Sequence, residues 1–245
     1  MSEYQDSAFW FENVEKTETA NNPLPASVDV VIIGAGFTGL ATALHLLRGG
    51  KSVALFDAMK LGHGASGKNG GMGGPSLHKL GLDGLTQAYG RDKALAILQE
   101  GMTAIEYFQD FIAEENIDCD LKMTGRLRGV TNIKALKSVI KDSESLMALK
   151  GFKFDVVSKA DIHSEIGSDL YQGGVIYHQD GGLHPYKLVM ALARKVADLG
   201  GHIYQETHAQ NITKTPSGFQ IETSIGTIKS GEVVIASNGY TKKYL

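Results

Sequence analysis

The chain has 245 residues, of which 42% are hydrophobic and 21% are charged, and its formal net charge is −3 at pH 7. This is the composition of a globular protein that can bury a sizeable core, and it argues against a disordered chain. The small negative charge gives no indication of a nucleic-acid partner or of binding to an anionic membrane surface. The single cysteine, Cys119, excludes an internal disulfide and a thiolate zinc cluster.

Residues 1–27 form a predicted N-terminal arm. This arm has no basic start, and no stretch of about 18 apolar residues occurs anywhere in the chain. We therefore expect no signal peptide, no spanning helix and a cytoplasmic location. The aromatic patch Phe9–Phe11 is expected to pack on the body of the protein.

The next predicted elements form a β-α-β unit. Val28 to Ile33 is nearly all β-branched, which is typical of a buried strand. Thr38 to Arg48 has its apolar residues on one helical face, and Ser52 to Phe56 reads as a second buried strand. The unit covers about 30 residues, the usual size for this motif.

The rest of the chain alternates between predicted helices and short strands. A glycine-rich loop over residues 58–76 comes first. The predicted helices span residues 92–113, 134–150 and 186–199, the last with Pro185 at its start. The predicted strands span residues 126–130, 154–157, 174–177, 202–206, 219–223, 225–229 and 232–236. This order predicts an α/β fold with an α+β insertion.

A glycine motif joins the first predicted strand to the first helix. It matches G-x-G-x-x-G and consists of Gly34, Ala35, Gly36, Phe37, Thr38 and Gly39. In such a motif the first glycine permits a tight turn, the second lets the backbone approach a pyrophosphate, and the third lets helix and strand pack closely. The hexapeptide alone is also compatible with a structural turn.

An acidic residue at the end of the second strand makes nucleotide binding the favoured interpretation. In dinucleotide-binding proteins, the acid that binds the ribose hydroxyls follows the glycine motif at a typical spacing. Asp57 follows Gly39 at about this spacing. A surface aspartate that caps a turn is the alternative. The motif predicts an adenine dinucleotide and leaves FAD and NAD open, whereas the acid disfavours the 2′-phosphate of NADP.

A second glycine cluster follows, with seven glycines among residues 62–74. Such a stretch exposes backbone N–H groups to a flat ring or a phosphate without interference from Cβ atoms. A long glycine loop at this point fits a cofactor that extends beyond the pyrophosphate, and a mobile active-site lid is the alternative. The predicted cofactor contacts in the cluster are Gly64, Ala65, Ser66, Gly67, Asn69, Gly70, Gly71 and Met72.

Together these motifs resemble the D-amino-acid oxidase family of FAD-dependent oxidoreductases. The resemblance is greatest to the branch that contains gamma-glutamylputrescine oxidoreductase and related amine oxidases. It continues downstream at residues 167–174, 180–185, 207–209 and 233–240. The resemblance implies FAD as the cofactor, with further contacts from Ala58, Ala209, Ala236, Ser237 and Asn238.

The resemblance also implies a domain organisation. A glutathione-reductase-like, Rossmann-type FAD-binding domain would comprise residues 28–80 and 180–245, with part of a substrate domain inserted at 81–179. Family members continue well beyond the turn at 236–241. We therefore expect the chain to be truncated at its C-terminus relative to the family.

The implied reaction is oxidation of the C–N bond of a small-molecule amine or amino acid to an imine. The hydrogen leaves formally as hydride to the flavin, and oxygen or another acceptor reoxidises the flavin. The substrate, the electron acceptor and the oligomeric state stay open. An NAD-dependent dehydrogenase and a catalytically incomplete FAD-binding fragment are the alternatives.

His184 is the candidate for a general base, because the resemblance places its segment near the flavin. The competing interpretation, which we favour, is a helix N-terminal residue that is hydrogen-bonded to the backbone. The histidines form no H-x-x-x-H or H-E-x-x-H pattern, so no metal site is expected. The absence of G-x-S-x-G and P-loop motifs argues against a hydrolase or an NTPase.

Overall fold

The computed structural model describes residues 7–17, 23–75 and 79–244. Residues 1–6 and 18–22 of the predicted arm lie outside the described residues. The chain divides into two compact units: Met1–Gly70 with His184–Leu245, and Gly71–Leu183. The assignment of a cofactor domain and a substrate domain to these units stays a prediction.

The strands are, in chain order, β1 (Ser27–Ile33), β2 (Val53–Phe56), β3 (Met72–Gly73), β4 (Arg126–Val130), β5 (Phe154–Val157), β6 (Gly173–Tyr177), β7 (Gly181–Gly182), β8 (His202–Tyr204), β9 (Ala209–Thr215), β10 (Gly218–Thr223) and β11 (Gly226–Ile235). The α-helices are α1 (Phe37–Arg48), α2 (Gly81–Tyr89), α3 (Arg91–Glu114), α4 (Ile133–Leu146), α5 (Ile162–Ile166) and α6 (Pro185–Asp198). Short 3₁₀ turns occur at Phe9–Phe11, Ala65–Gly67 and Asn238–Tyr244.

The first unit is built on a six-stranded sheet in the order β8-β2-β1-β11-β10-β9. Strands β8, β2, β1 and β11 are parallel, whereas β10 and β9 continue the sheet antiparallel. Residues 30–33 of β1 and all of β2 are buried, as expected for β-branched and apolar strands inside a parallel sheet. Helices α1 and α6 pack against each other. This arrangement brings the carboxyl ends of β1, β2 and β11 to one edge of the sheet, where ligands bind in open α/β folds.

The second unit has a three-stranded antiparallel sheet in the order β4-β6-β5 and a small antiparallel pair of β3 with β7. Helix α2 packs against α3 and α4. The core of this unit is formed by Leu82, Leu85, Ala94, Leu98, Met102, Val139, Leu146, Leu149, Phe152, Val175 and Tyr177. Within the described residues, no helix combines the length and the apolar content that crossing a membrane requires.

The predicted elements differ from the observed ones in several places, and the short elements β3, α5 and β7 were not predicted. The predicted strands at 225–229 and 232–236 form the single strand β11. The helix predicted over 134–150 ends at Leu146. Neither α2 nor β9 was predicted.

Candidate dinucleotide site

The turn between β1 and α1 lies between the ends of β2 and β11. The Gly34 N–H donates to Phe56 O over 2.8 Å, and the Ala236 N–H donates to Ile33 O over 2.8 Å. Gly34 has φ of +105°, and a Cβ atom at this position would lie 2.5 Å from the carbonyl oxygen of Ala236. Both the conformation and the close approach of β11 therefore require glycine at this point.

The N-terminus of α1 opens directly from this turn. Gly36 is the N-cap and has no side chain with which to cap the helix, and within the described residues no acid lies in the first turn. The first intrahelical bond joins the Leu40 N–H to Gly36 O over 2.9 Å, so the N–H groups before Leu40 have no intrahelical acceptor. The helix dipole adds partial positive charge at this end, so the arrangement suits an anion.

Asp57 ties this turn to the end of β2. Its Oδ2 accepts from the Ala35 N–H over 2.9 Å, and its Oδ1 accepts from the Met59 N–H over 2.9 Å. Its main chain bonds to the segment after β8: the Asp57 N–H donates to Tyr204 O, and the Thr207 N–H donates to Asp57 O. Each carboxylate oxygen can accept more than one hydrogen bond, so the side chain keeps capacity for a ligand hydroxyl.

The glycine loop contacts the same turn through Ser66. Its Oγ accepts from the Phe37 N–H over 3.1 Å. The Asn69 side-chain amide donates to the carbonyl oxygens of Ala65 and Ser66 over 3.1 and 3.0 Å, which stabilises the 3₁₀ turn at Ala65–Gly67. The loop is thereby held against the N-terminus of α1.

The structure brings most of the predicted site residues into the first unit. The turn, Asp57 and the loop up to Gly70 belong to it, and Ala58 is exposed beside Asp57. Ala209 is buried at the start of β9 and pairs with Thr223. The segment after β11 holds Ala236, Ser237 and Asn238. Gly71 and Met72 belong to the second unit, where the Met72 side chain is 80% exposed on β3.

His184 is the N-cap of α6. Its Nδ1 accepts from the Lys187 N–H over 3.2 Å, so a neutral imidazole carries its proton on Nε2. Its ring also makes an edge contact with Trp10, with ring centroids 4.8 Å apart. This geometry is that of a helix-capping residue, and a role as general base stays a prediction.

Two contacts at the site involve residues that the motifs did not indicate. The Trp10 Nε1–H donates to Asn69 O over 2.8 Å, and the Thr207 main chain bonds to Asp57. The aromatic patch in a polar arm was the available signal for Trp10. Thr207 lies in the segment 207–209 that the resemblance indicated, but its main-chain bond to Asp57 was not predicted.

His63, in the glycine loop, lies in a basic environment. Burial lowers the pKa of His63 below its ordinary value of 6.5, and the positive charges of Lys68, Lys60 and Lys16 lower it further. The negative charge of Glu206 raises the pKa of His63, and this effect is the smallest of them. The imidazole is therefore held towards its neutral form.

The sequence of the chain matches a known protein family. Residues 29–245 match the DAO family model, described as FAD dependent oxidoreductase. The chain belongs to this family of FAD-dependent oxidoreductases. The family assignment confirms the predicted family and FAD as its cofactor.

Two oxidoreductases are similar in sequence to most of this chain. The chain is 33% identical over 234 residues to the probable oxidoreductase OrdL of Rhizobium meliloti, covering 94% of this chain and 54% of that protein. It is 30% identical over 212 residues to gamma-glutamylputrescine oxidoreductase of Escherichia coli, covering 86% of this chain and 49% of that protein. The chain thus spans about half the length of these relatives.

Among solved structures, glycine oxidase from Geobacillus kaustophilus superposes with a TM-score of 0.76. The two chains are 21% identical, and the match covers 89% of this chain and 57% of the oxidase. At this identity the likeness concerns the fold, and it confirms the predicted α/β class with a Rossmann-like sheet.

Proposed function

We propose that the first unit binds FAD at the edge where β1, β2 and β11 end. In this proposal the pyrophosphate lies at the N-terminus of α1 and the ribose at Asp57. We propose further that the protein oxidises the C–N bond of a small amine or amino acid. The observation that carries the proposal is a set of glycines that the fold itself does not require.

Gly36 belongs to this set. Its backbone is extended, with φ of −82° and ψ of −171°, which any residue adopts. A Cβ atom on Gly36 would meet only Ser66 within 4 Å, with Oγ at 2.8 Å, and that hydroxyl sits on a movable side chain. Packing accounts for the bare backbone at Gly36 only in part, because the Ser66 hydroxyl could rotate aside at the cost of its bond from the Phe37 N–H. Close approach of a pyrophosphate supplies the further reason.

Gly64 and Gly70 in the glycine loop are similar. A Cβ atom on Gly64 would contact Met59 Cε at an ordinary 3.5 Å, and one on Gly70 would have nothing within 4 Å. By contrast, a Cβ atom on Gly39 or Gly67 would overlap a backbone carbonyl oxygen. The site therefore separates into glycines that the packing needs and glycines that leave space for a ligand, and this fits a cofactor as long as FAD.

The polar groups of the site match the parts of a dinucleotide. The N-terminus of α1 suits a diphosphate, because its dipole and the N–H groups that lack an intrahelical acceptor favour negative charge. The Asp57 carboxylate suits ribose hydroxyls. Ser66 accepts from the Phe37 N–H and so holds the loop against the helix.

When bound, FAD supplies the two-electron acceptor for oxidation of a C–N bond. The residues of this chain would bind and orient the cofactor. The substrate class is proposed from the relatives, which include a gamma-glutamylputrescine oxidoreductase and a glycine oxidase.

The proposal is tested by adding FAD or NADH to the purified chain and following its visible absorption. We expect a stoichiometric yellow complex with FAD. A colourless chain that binds NADH would contradict the proposal.

The substrate part is tested separately by adding a panel of amines and amino acids to the FAD complex without oxygen. Bleaching of the flavin band, followed by peroxide release when oxygen is admitted, would support C–N oxidation. A stable yellow complex that no amine bleaches would instead support an FAD-binding fragment without catalysis.

A further inference from the structure

The aromatic arm, which we define as residues 7–17, lies along α6 and along the glycine loop up to Gly70, all within the first unit. Trp10 donates its indole N–H to the main-chain oxygen of Asn69 over 2.8 Å, although 59 residues separate the two in sequence. Asn69 is the residue whose side chain stabilises the turn at Ala65–Gly67. Trp10 therefore fixes the end of the loop segment that carries Ser66.

Phe11 contacts the other end of the same loop. Its ring stacks on His63, with centroids 4.5 Å apart and an interplanar angle of 23°. It also packs on Tyr186, with centroids 4.6 Å apart, and Lys68 Nζ lies 5.7 Å from its ring centre. Stacked and cation–π contacts of this kind add to the energy of burial alone.

The arm is anchored beyond these rings. Thr17 is buried, and its Oγ1 donates to the main-chain oxygen of Met190 in α6 over 2.8 Å. Glu15 pairs with Arg194 over 3.4 Å at the surface. The arm is thus attached to α6 at one end and to the glycine loop at the other.

The glycine loop needs such external support. Glycine loses more backbone entropy on ordering than any other residue, so a loop rich in glycine is costly to hold in one conformation. Two of its internal main-chain bonds are long: the Gly67 N–H reaches Gly64 O at 3.3 Å, and the Lys68 N–H reaches Ala65 O at 3.4 Å. Contacts from outside the loop therefore determine how well it is ordered before the cofactor arrives.

We infer that Trp10 and Phe11 are positioning residues for FAD, which hold the glycine loop in its cofactor-accepting conformation. They act through Asn69 and His63 and have no need to touch the cofactor. The inference rests on the proposed FAD site. Its consequence is that the arm lowers the entropic cost of FAD binding and so raises affinity through preorganisation.

The test uses the full chain with Trp10→Phe and Phe11→Ala. Trp10→Phe keeps an aromatic ring and removes the hydrogen bond to Asn69, and we expect the Kd for FAD to rise between about two- and tenfold. Phe11→Ala should raise the Kd for FAD at least as much as Trp10→Phe does. Phe9→Ala is the matched control: its ring is 73% exposed and touches Trp10 edge-on, so the Kd should change less than about twofold.

Amide hydrogen exchange in the absence of FAD provides a second readout. We expect faster exchange of the loop amides between Gly64 and Gly70 in Trp10→Phe and Phe11→Ala, with core strands β1 and β2 unchanged. Because Trp10 is the only tryptophan of the chain, its emission reports on the arm directly. Iodide should quench this emission more strongly in Phe11→Ala than in the parent chain.

The outcomes separate the two proposals. If the parent chain binds FAD and both variants bind it equally well, the inference about the arm is wrong and the FAD site stands. If the parent chain does not bind FAD, the proposed function fails. The exchange experiment then decides whether the arm orders the loop: unchanged loop exchange in both variants would overturn that role as well.

Discussion

The Asp57 carboxylate accepts a hydrogen bond from the Ala35 main chain over 2.9 Å, so the acid at the end of β2 orders the glycine turn that follows β1. We expect Asp57→Ala to raise the Kd for FAD by on the order of 10- to 100-fold, because charge-assisted hydrogen bonds contribute about 1.5–3 kcal/mol. The measurement is a flavin fluorescence titration.

Asp29 is the matched control for this variant. Its Oδ2 accepts from the Ser52 N–H and from the Ser52 hydroxyl, both over 2.8 Å, and it joins β1 to the start of β2 at the opposite edge of the sheet. Asp29→Ala should lower the unfolding temperature without changing the Kd for FAD by more than about twofold. Equal losses of affinity in both variants would show that Asp57 acts through stability alone.

Gly36 and Gly39 should respond differently to the same substitution. A Cβ atom on Gly39 would overlap the main-chain oxygen of Gly34, which cannot move aside, so Gly39→Ala should destabilise the fold by about 1–3 kcal/mol or more. The unfolding temperature should fall by several degrees.

Gly36→Ala should lower the unfolding temperature less than Gly39→Ala does and raise the Kd for FAD at least tenfold, because its Cβ atom displaces the Ser66 hydroxyl and no main-chain oxygen. Thermal unfolding without FAD and a binding titration measure the two effects. A Gly36→Ala variant that unfolds early yet binds FAD normally would contradict the assignment of Gly36 to the cofactor.

The β-α-β unit was predictable because its signals are local. Val30 to Ile33 is a continuous apolar run, and the glycine motif directly follows it, so strand, turn and helix could be placed within a few residues. The chemistry of Asp57 followed from its position after the second strand. The hydrogen bond between Asp57 and Ala35 was not predicted, because neither segment indicates that the two turns lie close together in space.

The missed elements depend on tertiary contacts. Helix α2 begins at Gly81 and also contains Gly84, which weakens its intrinsic helix propensity, and it is stabilised by burial of Leu82 and Leu85. Strand β9 is mostly exposed and polar, and its pairing with β10 defines it.

Strand β11 was predicted as two pieces because Gly231 interrupts the apolar pattern. In the structure it is continuous, because it pairs with β10 through its first half and with β1 through its second. The contact of Trp10 with the glycine loop was not predicted either, because it joins segments that are far apart in the chain.

His184 variants can distinguish a helix cap from a general base. Asparagine is a good N-cap residue, so His184→Asn should keep the unfolding temperature, whereas His184→Ala should destabilise the chain by about 0.5–1 kcal/mol through loss of the bond from the Lys187 N–H. For a capping role, we expect both variants to reduce the flavin with the parent rate on any amine that serves as substrate. A loss of about 100-fold or more in both variants, with FAD still bound, would instead establish a general base.

His63 should make the stability of the first unit depend on pH. Its pKa is lowered in the folded chain by burial and by Lys68, Lys60 and Lys16, so the unfolded chain binds the proton more readily. The stabilising contribution of the neutral imidazole is therefore present above pH 6.5 and is lost as the pH falls below 6.5 and through the folded pKa.

The measurement is the unfolding temperature of the chain without FAD across this pH window, alongside His63→Gln. We expect the variant to lose part of the decrease that the parent chain shows on acidification, because glutamine does not titrate. His208→Gln, a change at an exposed histidine of the same unit, should keep the full decrease. An identical pH dependence in His63→Gln and the parent chain would show that His63 titrates alike in the folded and unfolded states.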